Sequence, residues 1–255
     1  ALWSVLPATK APLEDGGFSY KLKHVNEAEP HLLLRLNMYA SGMIRMRLTE
    51  IDPVHPRHEI PAGDAVSDPP PEAAAVAEAA GAVSTVFSFT SKAGAQIQAE
   101  LKYSPFGVDV TANGHLVQRV NARNLLNFER YRKVKEDTPP DAGSPVAGAT
   151  IDAAAHSHDL DKNGLWEEDF GGHTDKKPRG PASLGMDVTF EGEVPSLFGL
   201  PEHMTKNSLS FYEEPYRFFN LDVFEYENDE PMALYGTIPI IWAIQKFGSS
   251  DPVVS

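Results

Sequence analysis

Cysteine is absent from all 255 residues, so disulfides and thiolate metal sites are excluded. This absence does not fix the redox compartment. Positive charge is scarce: 22 Lys and Arg stand against 36 Asp and Glu, a formal net charge of −14. With no basic stripe evident along the sequence to neutralise phosphates, neither a nucleic acid nor an anionic membrane is expected as a partner. No apolar run approaches the roughly 20 residues of a membrane-spanning helix. A Gly-rich phosphate loop, a G-x-S-x-G elbow and an internal repeat are all missing as well.

What is present is a normal globular share of hydrophobic residues, 42%, and a chain long enough to bury a real core. Strand signals dominate. "HLLLRLNMY" (31–39) and the strictly alternating "MIRMRL" (43–48) flank "ASG" and predict a hairpin. "STVFSFT" (84–90) and "AQIQAELKY" (95–103), joined by "SKAG", predict another. In "FGVDVTANGHLVQRV" the pair Asn113-Gly114 divides two alternating runs, and such a tight turn suits residues that tolerate positive φ. Strands resume at "SLGMDVTFEG" (183–192) and "SLSFY" (208–212). "EPYRFFNLDVFEYENDEPMALYG" (214–236) reads as a half-buried strand and "TIPIIWAIQKF" (237–247) as a buried one.

Two low-complexity stretches interrupt this pattern. Residues 61–83 are Ala/Pro-rich, and their middle predicts a short helix. Residues 135–158 are polar, Pro/Gly/Ala-rich and aperiodic, which predicts a mobile excursion at about 135–160 whose deletion is tolerated. The expected fold class is all-β, a two-layer sandwich occupying residues 1–255 as one domain.

Several motifs point to chemistry and fall short. "DLDKNGLWEEDF" puts Asp159, Asp161, Asn163 and Gly164 at positions 1, 3, 5 and 6 of an EF-hand loop. Position 12, which needs a bidentate Glu, is Phe170, and neither flank is an amphipathic helix. A solvated acidic turn is the expectation. His156, His158 and His173 are too scattered for a zinc site, so no metal and no cofactor is expected. Trp166 and Phe170 would be wasted on a disordered loop, so residues 166–188 should pack back as an ordered strap. Glu202 and His203 are neighbours, and neighbours on an extended chain face opposite ways. Turn capping suits them better than joint acid–base work. Asp222, set among Phe219, Leu221, Val223 and Phe224, has salt bridging or solvent exposure as its plain explanation. No catalytic constellation is complete.

Taken together, "WEEDFGGHTDKKPRGPASLGMDV", "FGLPEHMT", "EPYRFFNLDVFEYENDEPMALYG" and "TIPII" resemble the N-terminal region of glucosidase II-type α subunits, within glycoside hydrolase family 31. "MIRMRLTEIDPVHPRHEIP" and "LVQRVNARNLLNFE" resemble the R-x-R-x-x-E and VN-x-R strands of the same family. The resemblance covers nearly the whole chain outside its low-complexity stretches. It implies an N-terminal β-sandwich packed on a (β/α)₈ barrel, retaining hydrolysis of α-1,3-linked glucose on N-glycans, and residence in the endoplasmic reticulum lumen. It further implies a C-terminal catalytic portion and a regulatory β subunit as partners. Both catalytic aspartates belong to barrel-loop motifs such as W-x-D-M-N-E and H-x-D, so no catalytic residue is expected in this chain. Carried over to matching positions, Asp222 would accept hydrogen bonds from glucose hydroxyls and Phe224 would offer its ring to the sugar's apolar face. The start "ALWSVLPATK" is expected to be a processed one, and the chain a fragment or one piece of a nicked protein. The rival expectation is a free-standing carbohydrate-binding or interaction module.

Overall fold

The computed structural model describes residues 2–53, 60–61, 71–130, 166–170, 173–177, 183–193, 195–210, 215–230, 232–248 and 253–254. Among them there are strands and no helix, hence no helix long and apolar enough to cross a membrane. The calcium-like run 159–164, His156, His158 and the excursion at 135–160 lie outside the described residues.

A four-stranded antiparallel sheet, order β1-β2-β3-β4, is built from β1 (Trp3–Pro12), β2 (Phe18–His24), β3 (Leu32–Met38) and β4 (Ile44–Glu50). Alternation decides its two faces. Trp3, Val5, Tyr20, Leu22, Leu32, Leu34, Leu36 and Met38 point inward and are buried. A six-stranded sheet faces it, with order β14-β9-β8-β7-β6-β5. Its members are β5 (Ala77–Ala80), β6 (Ser84–Thr90), β7 (Gln96–Lys102), β8 (Gly107–Ala112), β9 (His115–Val120) and β14 (Val188–Phe190). Phe87, Phe89, Ile97, Ala99, Leu101 and Val108 complete one shared core with the first sheet. Phe18 stacks on Phe87 across the layers at 5.1 Å. The layers are also joined by backbone: Val5 N–H donates to Tyr103 O at 2.8 Å and Phe106 N–H to Trp3 O at 2.9 Å. This is the expected two-layer arrangement.

Both predicted hairpins, β3/β4 and β6/β7, form in register. The β8/β9 turn has φ 50° at Asn113 and 85° at Gly114, the left-handed pair that such a turn demands. Asn113 also caps its neighbour, since its Oδ1 accepts from Gln96 N–H at 2.9 Å.

Three expectations are corrected. The Ala-rich segment yields no helix among the described residues; Ala77–Ala80 is an edge strand paired with β6. Its four residues are all exposed, so they give a helix no apolar face to bury, while ladder bonds to β6 satisfy its backbone. Residues 208–210 make only an isolated bridge from Ser208 to Phe198. The described residues of 215–240 contain no strand at all.

The small elements follow β9. β10 (Asn127–Phe128) pairs with β13 (Leu184–Gly185), and β11 (Trp166–Phe170) with β12 (His173–Lys177). The backbone of the expected strap is thus an antiparallel hairpin. β15 (Ser196–Gly199), β16 (Ile241–Gln245) and β17 (Val253–Val254) form a three-stranded sheet.

Buried amides fasten these additions to the sandwich. Asn121, at φ 58° and 2% exposed, donates from Nδ2 to Phe106 O at 2.7 Å and accepts on Oδ1 from Leu126 N–H at 2.8 Å. Gln245, fully buried, donates from Nε2 to Val117 O at 2.5 Å and Glu191 O at 2.7 Å. That side chain ties β16 to β9 and to the residue after β14. His115 stacked on Phe247 at 4.8 Å reinforces the junction.

Candidate functional site

Residues 215–240 carry more exposed rings and acids than any core element, and their shape is set from beneath. Glu202 N–H donates to Gly236 O at 2.8 Å, Leu234 N–H donates to Glu202 O at 3.2 Å, and the Glu202 Oε2 accepts from Gly236 N–H at 2.9 Å. Glu202 is thus a clamp on the loop backbone, as capping predicts. His203 is bound at Nδ1 to Pro201 O at 2.6 Å and meets Tyr216 edge-on at 5.0 Å. The two side chains have separate structural partners and share no common task.

Above the clamp the loop folds on itself. Leu221 N–H donates to Leu234 O at 2.9 Å, Tyr235 OH to Val223 O at 2.7 Å, and Thr237 Oγ1 to Asn220 Oδ1 at 2.6 Å. Leu234 and Ala233 are buried while Leu221, Asp222 and Phe224 are exposed. The strand expected here does not form because each of these bonds serves the loop's own closure and leaves no ladder. Yet bonds at Leu221 and Val223 hold the backbone on both sides of Asp222. The Asp222 carboxylate has no hydrogen-bond or ion-pair partner among the described residues. The salt-bridged reading therefore fails and the solvent-facing one holds. Phe224 is completely exposed, at 101%. A fixed backbone thus presents a free carboxylate and, two residues on, an uncovered ring. Chemically this pair can accept hydrogen bonds from hydroxyls and cover an apolar face. It contains no nucleophile–acid arrangement.

Sequence reasoning missed the apolar surface beside this loop. Ile238, Ile240, Trp242 and Ile244 are all exposed, at 61, 49, 56 and 43%. Trp242 and Ile244 share the outer phase of β16, whose other phase holds buried Ala243 and Gln245. A groove of about 630 Å³ opens nearby, lined by Phe218, Pro239, Ile241, Val188, Phe190 and Leu197 among others. The signal was the alternation in "IPIIWAIQ", read as burial when half of it faces outward. One literal H-x-D triplet, His173-Thr174-Asp175, does occur; its backbone lies on hairpin strand β12, not on a barrel loop.

Two facing antiparallel sheets around one shared core, with an anchored loop beside them, define an all-β sandwich domain. The chain belongs to the glycosyl hydrolase 31 N-terminal galactose mutarotase-like domain family, whose model matches residues 33–250. It is 35% identical over 224 residues to mouse neutral alpha-glucosidase AB, covering 83% of this chain and 23% of that protein. It is 37% identical over 148 residues to the glucosidase 2 subunit alpha of Schizosaccharomyces pombe, covering 55% and 14%. Among solved structures, the glucosidase II alpha subunit bound to alpha3-Glc2 superposes with a TM-score of 0.71 at 28% identity, covering 96% of this chain and 26% of that one. The catalytic subunit in the ER glucosidase II heterodimer, with the binding domain of its regulatory subunit, gives 0.70. The chain is thus homologous to the N-terminal domain of these enzymes and spans about a quarter of their length.

Proposed function

We propose that residues 1–255 act as the N-terminal domain of an α-glucosidase of the glucosidase II type, which trims α-1,3-linked glucose from N-glycans in the endoplasmic reticulum lumen. Hydrolysis proceeds with retention on a (β/α)₈ barrel carried by a C-terminal portion of the same α subunit, where two carboxylates stand about 5 Å apart. This domain shapes the substrate entrance: Asp222 accepts from glucose hydroxyls at the leaving-group side and Phe224 covers the sugar's apolar face. A regulatory β subunit completes the enzyme. The observation that carries this reading is the anchored loop whose carboxylate lacks a partner and whose Phe224 ring is bare. The exposed strip Ile238, Ile240, Trp242 and Ile244 supports a docked barrel over a free-standing module, because a module has no reason to leave such a face open.

The test is reconstitution with the C-terminal catalytic portion and assay on an α-1,3-linked glucose disaccharide. Asp222→Ala should lower kcat/KM by about 10- to 100-fold, the value of one or two hydrogen bonds to a charged group. Unchanged kinetics remove Asp222 from the site.

A further inference from the structure

The hydroxyl of Tyr235 donates to Val223 O at 2.7 Å, across twelve positions of chain. Its own backbone is fixed on both sides, because Glu202 O accepts from Leu234 N–H and Glu202 Oε2 from Gly236 N–H. The side chain is therefore a strut with a rigid foot. The carbonyl at its tip belongs to the residue between Asp222 and Phe224, so one bond acts on the peptide that separates the two candidate sugar contacts. The bonds from Leu221 N–H to Leu234 O, at 2.9 Å, and from Thr237 Oγ1 to Asn220 Oδ1, at 2.6 Å, both act before Asp222. On the far side, Asp229 N–H donates to Met204 O at 2.9 Å, beyond the exposed run 224–228. Tyr235 thus supplies the hold between Asp222 and that run. Core packing does not account for it. Tyr235 is 55% exposed and belongs to neither hydrophobic cluster, while Ala233 and Leu234 before it are buried.

We infer that Tyr235 is a positioning residue for the leaving-group sugar, holding the Asp222 carboxylate and the Phe224 ring at one fixed separation through Val223. The inference rests on the role proposed above for that pair. A polyol set between a carboxylate and a ring tolerates little error in either, and a misplacement of about 1 Å spoils a hydrogen bond. Without the Tyr235 hydroxyl, the Leu221 bond to Leu234 still ties the Asp222 side of the loop down. The slack falls on Phe224. The loop must then be ordered when the sugar binds, so the loss appears in KM with kcat little changed. A substrate without a leaving-group sugar does not feel it.

The experiment uses the same reconstituted enzyme with an α-1,3-linked glucose disaccharide and with α-glucosyl fluoride, whose leaving group is not a sugar. Tyr235→Phe keeps the ring and removes the hydroxyl. It should lower kcat/KM for the disaccharide by about tenfold, roughly 1.4 kcal/mol or one hydrogen bond, chiefly by raising KM. For the fluoride, kcat/KM should stay within about twofold of wild type. In a Phe224→Ala background the same substitution should cost less than about twofold further, since the ring it orients is gone. Melting temperatures of all variants are measured alongside. Wild-type kinetics for Tyr235→Phe beside a clear loss for Phe224→Ala overturn the inference and leave the sugar-site reading standing. An equal loss on both substrates, or an undiminished loss in the Phe224→Ala background, also overturns it, because the effect is then general. Wild-type disaccharide kinetics for both Asp222→Ala and Phe224→Ala bring down the sugar-site reading, and this inference with it.

Discussion

Gln245 offers the sharpest test of how the β15/β16/β17 sheet, and with it the loop of Asp222, is held to the sandwich. Replacing it with Leu keeps the bulk and removes both donors. Val117 O retains a bond from Glu191 N–H at 3.0 Å, but Glu191 O loses the donation from Gln245 Nε2 at 2.7 Å. Two bonds at about 0.5–1.5 kcal/mol each give a loss of roughly 1–3 kcal/mol. For a chain of this size that lowers Tm by about 2–4 °C per kcal/mol. Urea unfolding should show a lower midpoint with an unchanged m value. Gln245→Glu sharpens the test. A carboxylate facing two carbonyls in a buried site has its pKa raised above the unfolded value of about 4.3. The variant is then unstable at neutral pH and regains stability as pH falls and the acid becomes a donor. A midpoint within about 0.5 kcal/mol of wild type for Gln245→Leu, or no acid recovery for Gln245→Glu, would refute the clamp.

Tyr20 is 1% exposed, and its hydroxyl has no hydrogen-bond partner among the described residues. Burial, above all, pushes its pKa up to about 12, with Glu78 and Tyr103 adding to the rise and Thr85 opposing it. Because the folded value exceeds the unfolded one of about 10, stability is complete below pH 10 and falls between about pH 10 and 12 at up to 1.4 kcal/mol per unit. Tyr20→Phe should flatten that alkaline slope and raise stability near pH 7 by about 1 kcal/mol, read by thermal melts across pH. Asn121→Ala loses two buried bonds and a side chain suited to positive φ, and should cost about 2–4 kcal/mol by urea titration; a cost under 1 would show the amide to be dispensable. Asp222→Ala should leave the melting curve of the isolated chain within about 0.5 kcal/mol of wild type, and a larger fall would make Asp222 a structural residue.

Much of the fold is local in origin. The alternation of "MIRMRL" and "STVFSFT", together with Asn113-Gly114, determines hairpins by themselves, because pleat and turn impose their constraints on adjacent residues. The family-like order of motifs from Trp166 to Gly236 was likewise legible, and so was the structural character of Glu202. Alternation cannot say which phase is covered, nor whether a backbone will find a ladder. "NLDVFEYE" has strand composition, yet Leu221, Val223 and Tyr235 bond within the loop, and only that closure leaves Asp222 and Phe224 bare. Ala77–Ala80 has helix-forming residues, but β6 offered it an edge. Sequence determines what each strand presents on its two sides; tertiary structure alone decides which side meets the core, because burial belongs to the assembled layers and to no single segment.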